Sequence, residues 1–305
     1  MKKILVFGSG GLVGNSLKRT INEDDFVVKY STREDTNLFS LEETQKTINE
    51  FQPNIIINAA AKVGGIHANN SQRSEFLIEN LKININILES CIKNNDILIV
   101  NLGSSCIYPL NADNPIKEES IMSGKLEPTN SPYAMAKLTG IELANSLSLQ
   151  FGHKILNLMP TNLYGPNDNF SEMDSHVIPG LIFRMHNAKI NGDKEFKIWG
   201  TGKPLREFMY VDDLAKAILF LINNVPKDSL INVGSGEEIS IENLSILIKE
   251  IVGYKGILNF DSKMPDGNPR KLLDSTLINE LGWTPEIDLN SGIKKTYKWF
   301  LENYN

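Results

Sequence analysis

Lys3-Ile-Leu-Val-Phe-Gly-Ser-Gly-Gly-Leu-Val-Gly14 decides the fold. Lys3–Phe7 is a short apolar run of strand character. The glycines after it break the run before a helical pattern that extends from about Gly11 to Ile21. Gly8, Gly11 and Gly14 stand at GxxGxxG spacing, with Gly10 as a fourth glycine. Glycines in a strand-to-helix turn let the backbone reverse tightly and approach a pyrophosphate, which then lies at the positive end of the helix. The spacing alone would also suit a turn with no ligand. Its place directly after a first strand favours the dinucleotide, with Gly8, Gly11, Leu12, Val13 and Gly14 as contacts.

Outward from this turn the same grammar repeats. Phe26–Tyr30, Asn54–Asn58, Ile97–Leu102 and Lys154–Met159 read as strands. Leu41–Phe51, Ser74–Asn94 and Pro132–Phe151 read as the helices between them. Near-continuous apolar strands alternating with helices predict an α/β fold, a doubly wound parallel sheet covered on both faces. After Pro160 the texture changes. Turn-rich stretches appear at Tyr164–Asn169, Gly200–Pro204 and Pro265–Pro269. Helical patterns recur near Val211–Asn224, Ile241–Val252 and Gly292–Tyr304. This half predicts a smaller substrate-binding region interleaved with the end of the sheet.

With 305 residues, 41% of them hydrophobic, the chain can bury a large core. A net charge of −6 argues against nucleic acid as a partner, which would need a basic face. Cys91 and Cys106 give neither a disulfide framework nor a zinc pattern, and Cys91 lies in an apolar helical pattern that reads as core. Met1–Gly8 lacks a signal-peptide pattern, and no apolar run is long enough to span a membrane. The expectation is a cytoplasmic protein without a metal or a membrane partner.

The chemistry concentrates at Gly103-Ser-Ser-Cys-Ile-Tyr108 and Tyr133-Ala-Met-Ala-Lys137. Tyr133 and Lys137 lie one helical turn apart on one face. A phenol titrates near ~10, and a cation one turn away is expected to bring that value down. Ser104 can hydrogen-bond a substrate oxygen beside the phenol. Cys106 adds a titratable thiol that carbonyl reduction does not need. Tyr and Lys at this spacing also occur as an ordinary exposed helix pair; the preceding strand end and the glycine turn favour a site. The second strand ends at Tyr30-Ser-Thr-Arg-Glu-Asp35. Arg33 suits a 2′-phosphate and hence NADP(H), whereas Glu34 and Asp35 keep a ribose-binding carboxylate, and NAD, open. Lys62 and His67 are ambiguous between substrate and solvent, and His153 and His186 read as structural.

Longer motifs carry a resemblance. They are AAKVGGIHANN from Ala60, LGSSCIYP from Leu102, LEPTNSPYAMAK from Leu126, MPTNLYGPNDNF from Met159, SHVIP from Ser175 and REFMYVDD from Arg206. Together they resemble the extended short-chain dehydrogenase/reductase superfamily and, within it, the GDP-4-keto-6-deoxy-D-mannose 3,5-epimerase/4-reductases, over nearly the whole chain. The resemblance implies a Rossmann-like NADP-binding domain over about 1–162 and 207–235. A substrate-binding region then covers about 163–206 and 236–305. It implies that Ser104, Tyr133 and Lys137 reduce a 4-keto group, with Tyr133 giving the proton and Lys137 also holding the nicotinamide ribose. Pro160, Thr161, Asn162 and Leu163 would line the nicotinamide. Cys106 and His176 would be base and acid of epimerisation at C3 and C5, with His176 also at the cofactor. A GDP-linked 4-keto sugar would meet Arg184, Trp199, Arg206 and Asp266. Gly10 departs from relatives that carry a basic residue there. The resemblance also implies a homodimer built on a four-helix interface of Ser74–Asn94 and Pro132–Phe151. Two other readings share the fold: an enzyme for another nucleotide-linked keto sugar such as a GDP-keto-heptose, and a non-catalytic NADP-sensing regulator.

Overall fold

The computed structural model describes residues 1–304 other than Met173 and Pro265. Pro265, the first residue of the third predicted turn, and Asn305 therefore lie outside the described residues.

The chain begins β1 (Lys2–Phe7), α1 (Leu12–Thr20), β2 (Phe26–Ser31), α2 (Leu41–Phe51) and β3 (Ile55–Asn58). It continues α3 (Ile66–Ser71), α4 (Arg73–Cys91), β4 (Leu98–Leu102), α5 (Ser131–Phe151) and β5 (Ile155–Pro160). Then come β6 (Asn162–Tyr164), α6 (Val177–Asn191), β7 (Glu195–Trp199), β8 (Leu205–Tyr210), α7 (Val211–Asn223) and β9 (Leu230–Val233). The last part is β10 (Glu238–Ser240), α8 (Ile241–Val252), β11 (Ile257–Asp261), β12 (Arg270–Lys271), α9 (Thr276–Glu280) and α10 (Leu289–Asn303).

Six parallel strands form the central sheet in the order β2-β1-β3-β4-β5-β9, a Rossmann-like doubly wound arrangement. Period-two alternation explains its two covered faces. Ile4 and Val6 of β1 pack with Leu17 of α1 and Leu214 and Ile218 of α7. Leu5 and Phe7 pack on the opposite face with Ile83 and Ile87 of α4 and Leu147 of α5. Strand order reverses between β1 and β3, and ligands of open parallel sheets bind outside the carboxyl ends of the strands at such a reversal.

A second core holds Ile178 and Ile182 of α6, Phe196 and Ile198 of β7, Leu244 and Ile248 of α8, and Ile293 and Phe300 of α10. Strand β8 joins the two cores by the same alternation: Met209 enters the first, while Phe208 and Tyr210 enter the second. It is the centre of a small sheet, with β10 antiparallel and β12 and β6 parallel to it. Helix α10 starts three residues before the predicted Gly292, because the Asp288 carboxylate accepts the Ser291 N–H at 2.9 Å and caps the earlier turn.

Candidate active site

The glycine turn is dictated by sterics at two positions. Gly8 has φ of +77°, and a Cβ there would lie 2.5 Å from the backbone nitrogen of Ala60 at the end of β3. A Cβ on Gly14 would lie 2.4 Å from the Gly8 carbonyl oxygen, so α1 rests directly on the turn. The N–H groups of Gly8 and Ser9 donate to the Ser31 carbonyl at 3.1 Å each, locking the turn to β2. Gly11 begins α1 with no side-chain cap, while Cβ positions on Gly10 and Gly11 would meet no atom closer than 3.6 Å. No side chain caps the amides at the start of α1, where Leu12 and Val13 stand, and Ser9 Oγ is buried with no partner among the described residues. A glycine turn of this kind at a helix N-terminus suits a pyrophosphate. At the end of β2, Asp35 Oδ2 accepts from Thr32 N at 2.8 Å and from Thr32 Oγ1 at 2.7 Å. Those bonds hold its carboxyl below the usual range and commit it to its own turn. Arg33 is exposed and, among the described residues, has no ionic partner.

Four of the expected catalytic residues come together beyond the end of β4. Ser104 caps the 3-10 turn Ser105–Ile107, its Oγ accepting the Cys106 N–H at 3.2 Å. Helix α5 enters with Pro132 in its first turn, where a missing N–H costs nothing, and presents Tyr133 and Lys137 one turn apart. Lys137 is 3% exposed; its ammonium donates to the Leu102 carbonyl at 2.7 Å and lies 5.7 Å from the Tyr133 ring centroid. Burial pushes it down to about 8. The tyrosine does not behave as the sequence suggested. Burial pushes the Tyr133 phenol up and the Cys106 thiol adds to this, against a smaller opposite effect of the Ser104 hydroxyl. The lysine's charge is turned to Leu102, so desolvation outweighs it. At neutral pH the phenol is therefore protonated, the form that gives a proton to a carbonyl oxygen.

Cys106 is partly exposed, and Lys271 Nζ on β12 donates to its Sγ at 3.5 Å. Sequence reasoning missed Lys271, since a two-residue strand has no periodicity to read. It also missed Glu207 beside Arg206, fully buried and pushed up by burial. Glu207 accepts the N–H groups of Gly236 at 2.8 Å and Leu273 at 3.0 Å, anchoring the stretch that carries Lys271. His176 begins α6 with its side chain about half exposed, and its Nδ1 lies 3.9 Å from Oδ1 of buried Asp168. Among the described residues it makes no hydrogen bond to the Ser104–Cys106–Tyr133 group.

Other expected contacts fall as follows. Pro160 ends β5, and Leu163 packs partly buried against the main core. Thr161 Oγ1 and Asn162 Nδ2 both donate to the Glu207 carbonyl, at 3.2 and 2.8 Å. The Arg184 guanidinium lies 5.3 Å over the Phe196 ring, and Arg206 Nη1 donates to the Leu205 carbonyl at 2.8 Å. Burial lowers both arginines from their ordinary value. Trp199 is 55% exposed at the end of β7. The two oxygens of Asp266 accept from Thr201 N at 2.6 Å and Thr201 Oγ1 at 2.8 Å, closing the turn after Trp199. His67 is exposed with Nδ1 3.6 Å from Asp174, and Lys62 pairs with Glu79 at 2.9 Å. His153 is buried, and His186 Nδ1 lies 3.0 Å from the Tyr297 hydroxyl. Cys91 is fully buried, its thiol pushed up to about 12. No group of three His, Cys, Asp or Glu among the described residues is placed to hold a metal ion.

The sequence profile of the NAD dependent epimerase/dehydratase family matches residues 4–234. GDP-L-fucose synthase 1 of Arabidopsis thaliana is 45% identical over 302 residues, covering 99% of this chain and 94% of that protein. A GDP-L-fucose synthetase from Naegleria fowleri, solved bound to NADP, superposes with a TM-score of 0.89 at 29% identity, covering 99% of this chain and 95% of that one. A GDP-6-OMe-4-keto-L-xylo-heptose reductase from C. jejuni superposes with a TM-score of 0.93 at 32% identity, covering 100% of this chain and 98% of that one.

Proposed function

This chain belongs to the NAD dependent epimerase/dehydratase family, and from that premise we propose that it is a GDP-L-fucose synthase. It is an NADP-dependent oxidoreductase and epimerase that turns GDP-4-keto-6-deoxy-D-mannose into GDP-L-fucose. The observation that carries the reading is the single cluster of Ser104, Tyr133 and Lys137 with a thiol, Cys106, that reduction alone would not need.

A 4-keto group acidifies the protons at C3 and C5. Cys106, with the Lys271 ammonium beside its sulfur, takes each proton as the thiolate, and His176 returns one from the other face. Ser104 holds the 4-keto oxygen. Bound NADPH supplies the hydride to C4. Tyr133, kept protonated by its burial, gives the proton to O4, and Lys137 positions the ribose beside it. Gly8, Gly11, Leu12, Val13 and Gly14 cradle the pyrophosphate and Arg33 takes the 2′-phosphate. Arg184 and Arg206 neutralise the GDP diphosphate, as forked donors matched to paired anionic oxygens, with Trp199 alongside. The cofactor part spans about 1–162 and 207–235 and the substrate part the remainder, in keeping with the two cores.

The protein is a cytoplasmic homodimer. Helices α4 and α5 leave Ile78, Ile85, Met135 and Leu149 exposed, and a second copy would cover them in a four-helix interface. No described helix is long and apolar enough to cross a membrane.

The test is incubation with NADPH and a panel of GDP- and dTDP-linked 4-keto sugars. GDP-4-keto-6-deoxy-D-mannose should be consumed to GDP-L-fucose. Turnover confined to a GDP-keto-heptose would favour the second reading, which the similarity to the C. jejuni reductase supports.

A further inference from the structure

Asp168 lies in the loop between β6 and α6 and is 7% exposed. Its Oδ1 accepts the Asn169 N–H at 2.8 Å, while Oδ2 is buried with no partner among the described residues. A buried carboxylate oxygen left without a hydrogen bond is uncommon and needs a reason. Among the described residues the one basic nitrogen within 4 Å of this carboxylate is His176 Nδ1, at 3.9 Å. That is too long for a hydrogen bond. Hydrogen bonds that serve catalysis are often long in the free enzyme and tighten in the substrate complex. The other acids of the loop are engaged elsewhere: Asp174 lies 3.6 Å from His67, and Glu172 acts on Arg184.

We propose that Asp168 is the positioning residue of the epimerisation acid. Its carboxylate accepts the Nδ1–H of His176 and so makes Nε2 the nitrogen that delivers a proton to the sugar. The inference rests on the epimerase reading above. In the step itself the Cys106 thiolate removes the proton from C3 or C5, and the C–H electron pair moves into the ring as the enolate of the 4-keto group. On the opposite face the Nε2–H bond of the imidazolium breaks and a new C–H bond forms as the carbonyl is restored. Nδ1–H stays on Asp168, leaving a neutral ring. Water then recharges Nε2 and takes the proton from the Cys106 thiol. Nothing is oxidised or reduced.

Two measurements test this. Nitrogen-15 NMR of the histidine rings with GDP-L-fucose bound, assigned with His176→Asn, should find neutral His176 in the wild-type protein as the Nδ1–H tautomer. In Asp168→Asn the Nε2–H tautomer should become the major one. A wild-type His176 already in the Nε2–H form would overturn the proposal whether or not the variant folds. Deuterium wash-in at C3 and C5 should then be compared with 4-keto reduction in the same preparations. Asp168→Asn should lower the ratio of exchange to reduction by roughly 10-fold or more, out of the ~10²–10⁴ that positioned proton transfer supplies. The loss should appear in kcat for exchange and not in KM for the sugar. Adding Asp168→Asn to His176→Asn should cost no more exchange; a further loss would show that Asp168 acts elsewhere. Exchange absent from the wild-type enzyme would instead overturn the epimerase reading. Exchange present and undiminished in Asp168→Asn, with the tautomer unchanged, overturns the role of Asp168 alone.

Discussion

Replacing Lys137 by methionine should remove activity and, at the same time, a pH-dependent burden on stability. Lys137 is 3% exposed, and burial lowers it from 10.5 to about 8. That difference corresponds to roughly 3 kcal/mol of penalty on the charged folded form. Below about pH 8 the folded and unfolded chains both hold the proton, so the penalty is complete. Between about 8 and 10.5 the unfolded chain binds more proton than the folded one, and stability from this group rises with pH. Methionine has a similar length and no charge, so the penalty goes. Against it stands the lost bond to the Leu102 carbonyl at 2.7 Å, which leaves a buried acceptor unpaired at a cost of about 1–3 kcal/mol. The two effects nearly offset at neutral pH, so the diagnostic quantity is the pH dependence. Guanidinium unfolding of both proteins at pH 7.5 and pH 10 should show the wild type gaining about 2 kcal/mol on Lys137→Met across that interval. The difference between the proteins isolates Lys137 from the tyrosines that titrate in the same range. Stability differences that stay constant from pH 7.5 to 10 would refute the reasoning and show that the ammonium is solvated.

Arg33→Ala should raise KM for NADPH by about tenfold or more, the loss of one charge-assisted hydrogen bond of ~1.5–3 kcal/mol, and leave NADH nearly unchanged in steady-state kinetics. Equal losses for both cofactors would make Arg33 a structural residue. Arg206→Ala should weaken GDP binding by roughly 10- to 100-fold in calorimetry, on the same scale of ~1.5–3 kcal/mol. A change below about twofold would mean the diphosphate lies elsewhere.

The parts of this protein that were legible in sequence are those where local sterics or a single period decide the outcome. Lys3–Gly14 announced β1, the turn and α1 because only glycine fits at positions 8 and 14. The alternating apolar and helical runs announced the doubly wound sheet because each strand is buried on both faces. Tyr133 and Lys137 were legible as a pair because a helix sets one turn between them. What escaped depends on contacts between distant segments. Lys271 reaches Cys106 across 165 positions of chain on a two-residue strand, and Glu207 reads as one more polar residue until its burial is seen. The direction of the Tyr133 shift depends on where the Lys137 ammonium points, which spacing does not say. The bonds from Thr201 to the Asp266 carboxylate likewise join residues 65 positions apart, which no spacing announces. The smaller sheet around β8 was illegible because its partners are two or three residues long and scattered over the second half of the chain.

The central claim is that one site both inverts two carbons and reduces a third, and turnover in D₂O addresses it most directly. Wild-type protein, NADPH and GDP-4-keto-6-deoxy-D-mannose should yield a reduced sugar carrying solvent deuterium at both C3 and C5. Cys106→Ala should yield reduced sugar without deuterium at those carbons. Mass spectrometry of the products reads both. A wild-type product free of deuterium, or full incorporation by Cys106→Ala, would contradict the account: the first would make this a plain 4-keto reductase, the second would remove the thiol from its role as base.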